Sequence, residues 1–313
     1  MDVRHVEGRP QPFRSCDVGM PTCKLVIMGE PLLRSVVRWM YIPLVLCAVV
    51  VGVGVLGARS ESWIPVMVVS VLLFTFVAEA VAPFADGWRV RDHAFPADVV
   101  SAVINESVVA LGVMAAPMLA GWLSLEVWPA DAPRLPRIVA GALILDAGVT
   151  LAHWWSHRSG WLWRFHAIHH GAERLYGLNG LMKHPVHLVF ETTVGIAPLI
   201  VLGIDRQTAT ALAGLVAVQL VVQHANVGYR VGWFGTWFAW NGGHRLHHVA
   251  DETEGNVNFG LFTLIWDRML GTYRRPGTAE LPPSVGLPGA TMPPRYRDQL
   301  AMPWTRTERA HTS

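Results

Sequence analysis

An all-α integral membrane protein is the fold class this sequence predicts: about four core transmembrane helices, a shorter membrane hairpin and a cytoplasmic histidine-rich helical cap. Three observations predict it. Hydrophobic residues make up 52% of the 313-residue chain and charged residues only 15%, against about 25% charged in soluble domains. Several apolar runs reach the roughly 20 residues that a helix needs to cross a bilayer. Eleven of the fourteen histidines fall between residues 153 and 248, where the last of those runs end.

The elements follow in order. Residues 1–35 are polar, basic and proline-containing, unlike a cleavable secretory signal, and are expected to be poorly ordered. Met20 and Met28 are alternative starts within them. Residues 39–58 and 63–84 are two apolar spans, and 99–125 is a third, interrupted by Asn105 and Glu106. A fourth, 137–157, begins apolar and runs into histidines. Residues 188–204 and 208–227, parted by Asp205, Arg206 and Gln207, predict a hairpin that only partly penetrates. The membrane domain is expected over 36–275, with a C-terminal tail at 276–313. The glycine-rich GVGVLG at 52–57 lies inside an apolar span with no strand–turn–helix context, so it is no phosphate loop.

Charge sets the orientation. If the N-terminus is cytoplasmic and the spans alternate, only Arg59, Arg134, Arg137 and Arg206 of the 25 Lys and Arg fall on the outer side. The rest share the face that the positive-inside rule makes cytoplasmic, and the histidine motifs share it too. The net charge of +2 gives no sign of a nucleic-acid partner. Cys16, Cys23 and Cys47 form no C-x-x-C pair, which excludes zinc-ribbon, iron–sulfur and disulfide-framework classes.

The histidines form motifs. HWWSH places His153 and His157 at i and i+4 on one helical face, within reach of one metal. HAIHH supplies His166, His169 and His170, and HRLHH supplies His244, His247 and His248 in the same spacing. His224 closes the last apolar segment. A lone interfacial histidine is usually just polar surface, as for His5, His93 or His311. Chance, however, supplies only roughly 0.03 H-x-x-H-H motifs at this histidine frequency, so two of them imply metal ligation. Imidazole suits iron, zinc, copper and nickel, so ligand type leaves the metal open. Nine or ten donors exceed the four of a structural zinc and are enough for two ions with open positions.

These motifs, with HHGAERLYGLNGLMKHP at 169–185, NVNFG at 256–260 and WDRMLGTY at 266–273, resemble the sterol desaturase and fatty acid hydroxylase superfamily of membrane di-iron oxygenases, in its bacterial form. The similarity spans about residues 75 to 275. It implies metal ligation by His153, His157, His166, His169, His170, His224, His244, His247 and His248, with His184 of KHP as a tenth ligand. Where many members carry glutamate two residues after that proline, this chain has His187, with Glu191 one turn later. His187 is then an extra ligand, a partner of a ligand, or with Glu191 a substrate-pocket residue. Asp146, Asn226 and Asn256 are candidates to hold ligand rings, with Glu79 and Glu106 behind them, or else simply pack helices.

The resemblance implies two iron ions, O2 as co-substrate and a membrane lipid whose C–H bond is hydroxylated or desaturated. Such a bond offers no handle for acid–base attack and needs the strong oxidant that two irons generate from oxygen. No flavin, nicotinamide or fused haem module is apparent, so electrons are expected from a separate ferredoxin or cytochrome-type donor with an NAD(P)H reductase. Arg158, Arg164, Arg274 and Arg275 either dock that carrier or merely enforce topology. A divalent-metal transporter, a zinc hydrolase and a non-catalytic lipid-binding relative are the alternatives.

Overall fold

The computed structural model describes residues 31–89, 95–251, 254–275 and 284–305. His5, His93, His311, Cys16 and Cys23 lie outside them, as does the expected N-terminal segment apart from 31–35. Five helices among the described residues are long and apolar enough to cross a membrane: α1 (Leu32–Arg59), α2 (Trp63–Val81), α3 (Phe95–Leu123), α4 (Arg134–Ser156) and α6 (Pro185–Leu202). Between α4 and α6 lies α5 (Gly160–His170). After α6 come α7 (Arg206–His224), α8 (Asn241–His247), α9 (Ile265–Leu270) and α10 (Tyr296–Thr305). The β contacts among the described residues are isolated bridges, such as Pro83 with Val227. The glycine-rich stretch at 52–57 lies in α1, whose residues Val50–Leu56 widen into a π-helix. Cys47 is exposed on that helix.

The spanning helices turn their large side chains outward. On α3, Met118 is 72% and Trp122 90% exposed, while Ala116 and Ala120 are buried. In water this distribution would be unfavourable; against lipid it is expected, because small residues let helix backbones approach while bulky ones meet acyl chains. One such approach joins α4 to α6. A Cβ added at Gly148 would lie 2.6 Å from the Val194 carbonyl oxygen and 2.8 Å from Gly195 Cα.

The α6–α7 turn is built by two short-range devices. Gly203 ends α6 at φ 94°, in the left-handed region. Asp205 caps α7 by accepting from Thr208 N at 2.9 Å, and it also binds Arg137 at 2.6 Å and Trp128 Nε1 at 3.1 Å. The first arm, α6, is long and apolar enough to cross a membrane, and the second, α7, is not among those spans. α7 packs against α2, α3 and α4 and forms the centre of the bundle. Its buried Ala209, Ala211, Gly214 and Ala217 explain this, since small side chains admit neighbours on several sides. Residues 284–305 of the expected tail include α10, which packs on α5 and α3.

Gly148→Val is expected to wedge α4 from α6 and lower the melting temperature in detergent, an overpacking cost of about 1–3 kcal/mol or more. Gly121→Ala, where the added Cβ meets nothing within 4 Å, should leave the melting temperature unchanged.

Candidate metal centre

Each histidine motif sits where a helix ends. α4 brings His153 in its last turn and His157 at its C-cap. The N-terminus of α5 is capped by Ser159, and the helix ends on His166, His169 and His170. α7 ends on His224, while α8 carries His244 and His247, with His248 at its C-cap.

The nine side chains form two groups. His153, His157, His166, His170 and His247 make one; His169, His224, His244 and His248 make the other, with ligand nitrogens in each within 4.8 Å of one another. The two H-x-x-H-H motifs divide crosswise. HAIHH gives its i, i+4 pair, His166 and His170, to the first group and His169 to the second. HRLHH gives its i, i+4 pair, His244 and His248, to the second group and His247 to the first. The His170 and His248 rings stack at 4.5 Å across the boundary.

The nitrogens face inward because the opposite side of several rings is held by backbone. Nδ1 of His153 donates to Phe259 O at 2.9 Å, His169 to Met182 O at 2.9 Å, His224 to Leu220 O at 2.8 Å and His247 to Val257 O at 3.0 Å. His157 Nδ1 donates to Asn256 Oδ1 at 2.9 Å. A proton fixed on Nδ1 leaves the Nε2 lone pair free for a metal. Within the first group, Nε2 of His170 approaches those of His157 and His166 at 3.1 Å. In the second, Nε2 of His224 lies 3.1 Å from that of His244 and 3.2 Å from those of His169 and His248. Two nitrogens bound to one ion at about 2.0–2.1 Å are separated by about 2.9–3.4 Å, so these spacings fit shared ions. Nε2 of His153 and His247 are buried with no hydrogen-bond partner among the described residues, as metal ligands would be.

Electrostatics agree with the geometry. Burial, reinforced by neighbouring imidazoles, holds His157, His166, His169, His170, His244 and His248 well below the ordinary histidine pKa. For His247 the bond to Val257 O partly offsets burial, leaving a pKa of about 4. All are neutral at pH 7 and available as ligands.

The remaining sequence candidates separate. His184 is in neither group: its Nδ1 accepts from Val186 N at 3.1 Å, capping α6, and its Nε2 donates to Leu300 O at 3.3 Å. His187 also stands outside, although its ring is 4.3 Å from that of His166. Its Nε2 donates at 2.9 Å to Ser156 Oγ, a partner the sequence did not single out. Of the three polar candidates, only Asn256 touches a ligand ring. Asp146 instead accepts from Phe262 N, from Thr263 N and Oγ1, and from Trp266 Nε1. Asn226 clamps both backbone groups of Ala85, and its own N–H bonds to Glu79. Asp267, another residue missed, accepts from Phe259 N and Gly260 N and so sets the carbonyl that holds His153. Its only signal was its place within WDRMLGTY. Lys183 and Glu191 form a buried ion pair.

Comparison with known proteins points to a family over part of the chain. Residues 138–272, which contain all nine histidines, match the model of the Fatty acid hydroxylase family. Over 300 residues, 91% of this chain and 89% of the relative, the sequence is 27% identical to an ornithine lipid hydroxylase of Rhizobium tropici. It is 27% identical to a sphinganine C4-monooxygenase of Arabidopsis thaliana, covering 44% of this chain and 54% of that protein. It is 29% identical to cholesterol 25-hydroxylase of Mus musculus, covering 50% and 53%. No solved structure matches the chain.

Metal analysis of purified variants tests the two groups. His170→Ala and His247→Ala should each lower metal content sharply, and His184→Ala should leave it at the wild-type level. Asn256→Ala should weaken metal binding by about 10–100-fold. Full metal in His170→Ala or His247→Ala would show that the first group does not bind an ion.

Proposed function

We propose, from the match of residues 138–272 to the fatty acid hydroxylase family, that the protein is an O2-dependent hydroxylase of a membrane lipid, with an iron ion in each histidine group. The crosswise sharing of the two H-x-x-H-H motifs carries the reading. It draws two groups of neutral nitrogen donors against one another at one end of an apolar bundle. The first group's five imidazoles exceed the four at which structural zinc closes, and the second group holds four.

Bound iron supplies the reduction and cleavage of oxygen that an unactivated C–H bond demands. The balance is that of a monooxygenase: one oxygen atom enters the C–H bond as an alcohol. The other leaves as water, formed with two protons and two electrons from a carrier. The chain holds and shields the site. Trp163 packs on His157 and His170 at 4.8 and 5.3 Å, while Phe259 covers His153, His157 and His247 at 5.0–5.4 Å. These rings cover part of the first group, of which His157 alone is half-buried. The names of the three relatives are all hydroxylases or monooxygenases of lipids, which favours hydroxylation over desaturation.

In this reading the site faces the cytoplasm, supported by the basic residues that flank it, and a separate ferredoxin or cytochrome-type donor delivers electrons there. Arg158, stacked on Trp154 at 4.1 Å, stands at that face.

Elemental analysis with Mössbauer spectroscopy of protein from iron-replete cells should find two irons per chain. Lipids from expressing cells grown under 18O2 should gain one labelled oxygen per product. A single zinc, with no iron after anaerobic reconstitution and no label, would replace this reading with a hydrolase or a binding protein.

A further inference from the structure

His187 is only 1% exposed, lies beside the first histidine group and belongs to neither group. It stands in the first turn of α6, facing Ser156 at the end of α4. The hydrogen bonds around it decide which of its nitrogens carries the proton. Ser156 has one hydroxyl proton, and it goes to Ala152 O at 2.8 Å. The same oxygen can therefore only accept from His187 Nε2, at 2.9 Å. Nδ1 of His187 is left as a bare lone pair, buried with no partner among the described residues.

His166 has the opposite deficit. Its Nε2 faces that of His170 at 3.1 Å inside the first group, so its proton sits on Nδ1 when that lone pair is given to an ion. This N–H is also buried without a partner among the described residues, whereas His153, His157 and His247 of the same group each donate to a fixed acceptor. A buried donor and a buried acceptor are both costly to leave unmade, and here the two rings lie 4.3 Å apart. The other rings around His166 do not supply the acceptor. Those of His153, His157, His169 and His170 belong to the metal groups and carry a proton on the nitrogen turned away from the ion. The indole of Trp163 is a donor only.

We infer that His187 is the positioning residue for His166: its Nδ1 accepts the Nδ1–H of that ligand once the ion is bound. Ser156, His187 and His166 then form one chain of fixed tautomers leading to the first group. The rings are tilted by 33°, so the bond forms by a turn of the His166 ring or through one bridging water. This rests on the metal-centre reading of the first group, and it gives His187 a supporting place there, outside both the coordination sphere and the lipid pocket.

Two neutral amides separate the nitrogens of His187. Asparagine puts Oδ1 where Nδ1 stands, and glutamine puts its terminal amide where Nε2 stands. Co2+ titration of the full-length protein in detergent, against a competing chelator, should show two ions bound to the wild type. His187→Gln should weaken one of them by about 10–100-fold, and His187→Asn should stay within about threefold of wild type. A side chain that merely filled space would give the reverse order, because glutamine is nearer to histidine in size. Wild-type affinity in His187→Gln overturns the inference, as does a loss in His187→Asn as large as that in His187→Gln. The wild type decides if the variants misfold. A crystal structure of the Co2+-loaded protein should place the two Nδ1 atoms within hydrogen-bond distance of each other or of one shared water. Any other arrangement, a Co–N bond from His187 included, overturns the inference. Fewer than two Co2+ bound to the wild type would fail the metal-centre reading as well, whereas two ions with unchanged affinity in His187→Gln would leave that reading standing and fail this one.

Discussion

Nine neutral imidazoles turned toward one another are the constraint on which the rest of the molecule depends. Each ring must present one lone pair inward, so its other nitrogen needs a fixed acceptor outside. For five of the nine rings, carbonyls of Phe259, Met182, Leu220 and Val257 and the side chain of Asn256 fill that role, while Nδ1 of His166, His244 and His248 has no such partner among the described residues. Most of those acceptors lie on loops, and a loop carbonyl orients a ring only if the loop is itself held. Asp267 grips the backbone at Phe259 and Gly260, Asp146 grips 262–266, and Asn105 grips 181–183. The buried carboxylates and amides of this membrane protein therefore serve mostly as loop anchors, one step behind the rings.

The bundle solves a second problem with the same helices. A polar centre must be set at one end of an apolar bundle. Outward-facing Leu, Met and Trp side chains belong to the lipid phase, and small residues inside let α7 occupy the middle. α7 is then at once a wall of the apolar cavity between α3, α4 and α6 and the carrier of His224. Gln219 and Gln223 on its inner side bind the carbonyls of Ala239, Gly260 and Leu261. The central helix thus ties the membrane part to the loops that hold the histidines.

Most of the architecture was legible in the chain, because a membrane helix is a local property. Apolar length alone marks α1 through α4 and α6, and the observed ends lie within a few residues of the apolar runs except at α1, which begins at Leu32. α7 was harder. Its hydropathy is diluted by Gln219, Gln223 and several alanines, so the sequence reads as a shallow second arm, and only packing shows it to be central. The histidine motifs were equally local, since i, i+3 and i+4 spacing puts rings on one side of a helix whatever surrounds it.

What sequence by itself determined is therefore the membrane class and the nine histidines that gather. Tertiary structure alone decided which ring joins which group, that His184 caps a helix beside them, and that Asp146 and Asn226 hold loops rather than ligands. The physical reason is distance along the chain. His153 is oriented by Phe259 and Asp146 by Thr263, partners more than a hundred residues away. Helical periodicity sets the side on which a ring emerges, but the approach of His170 to His247 and His248 from a separate helix sets what it meets there.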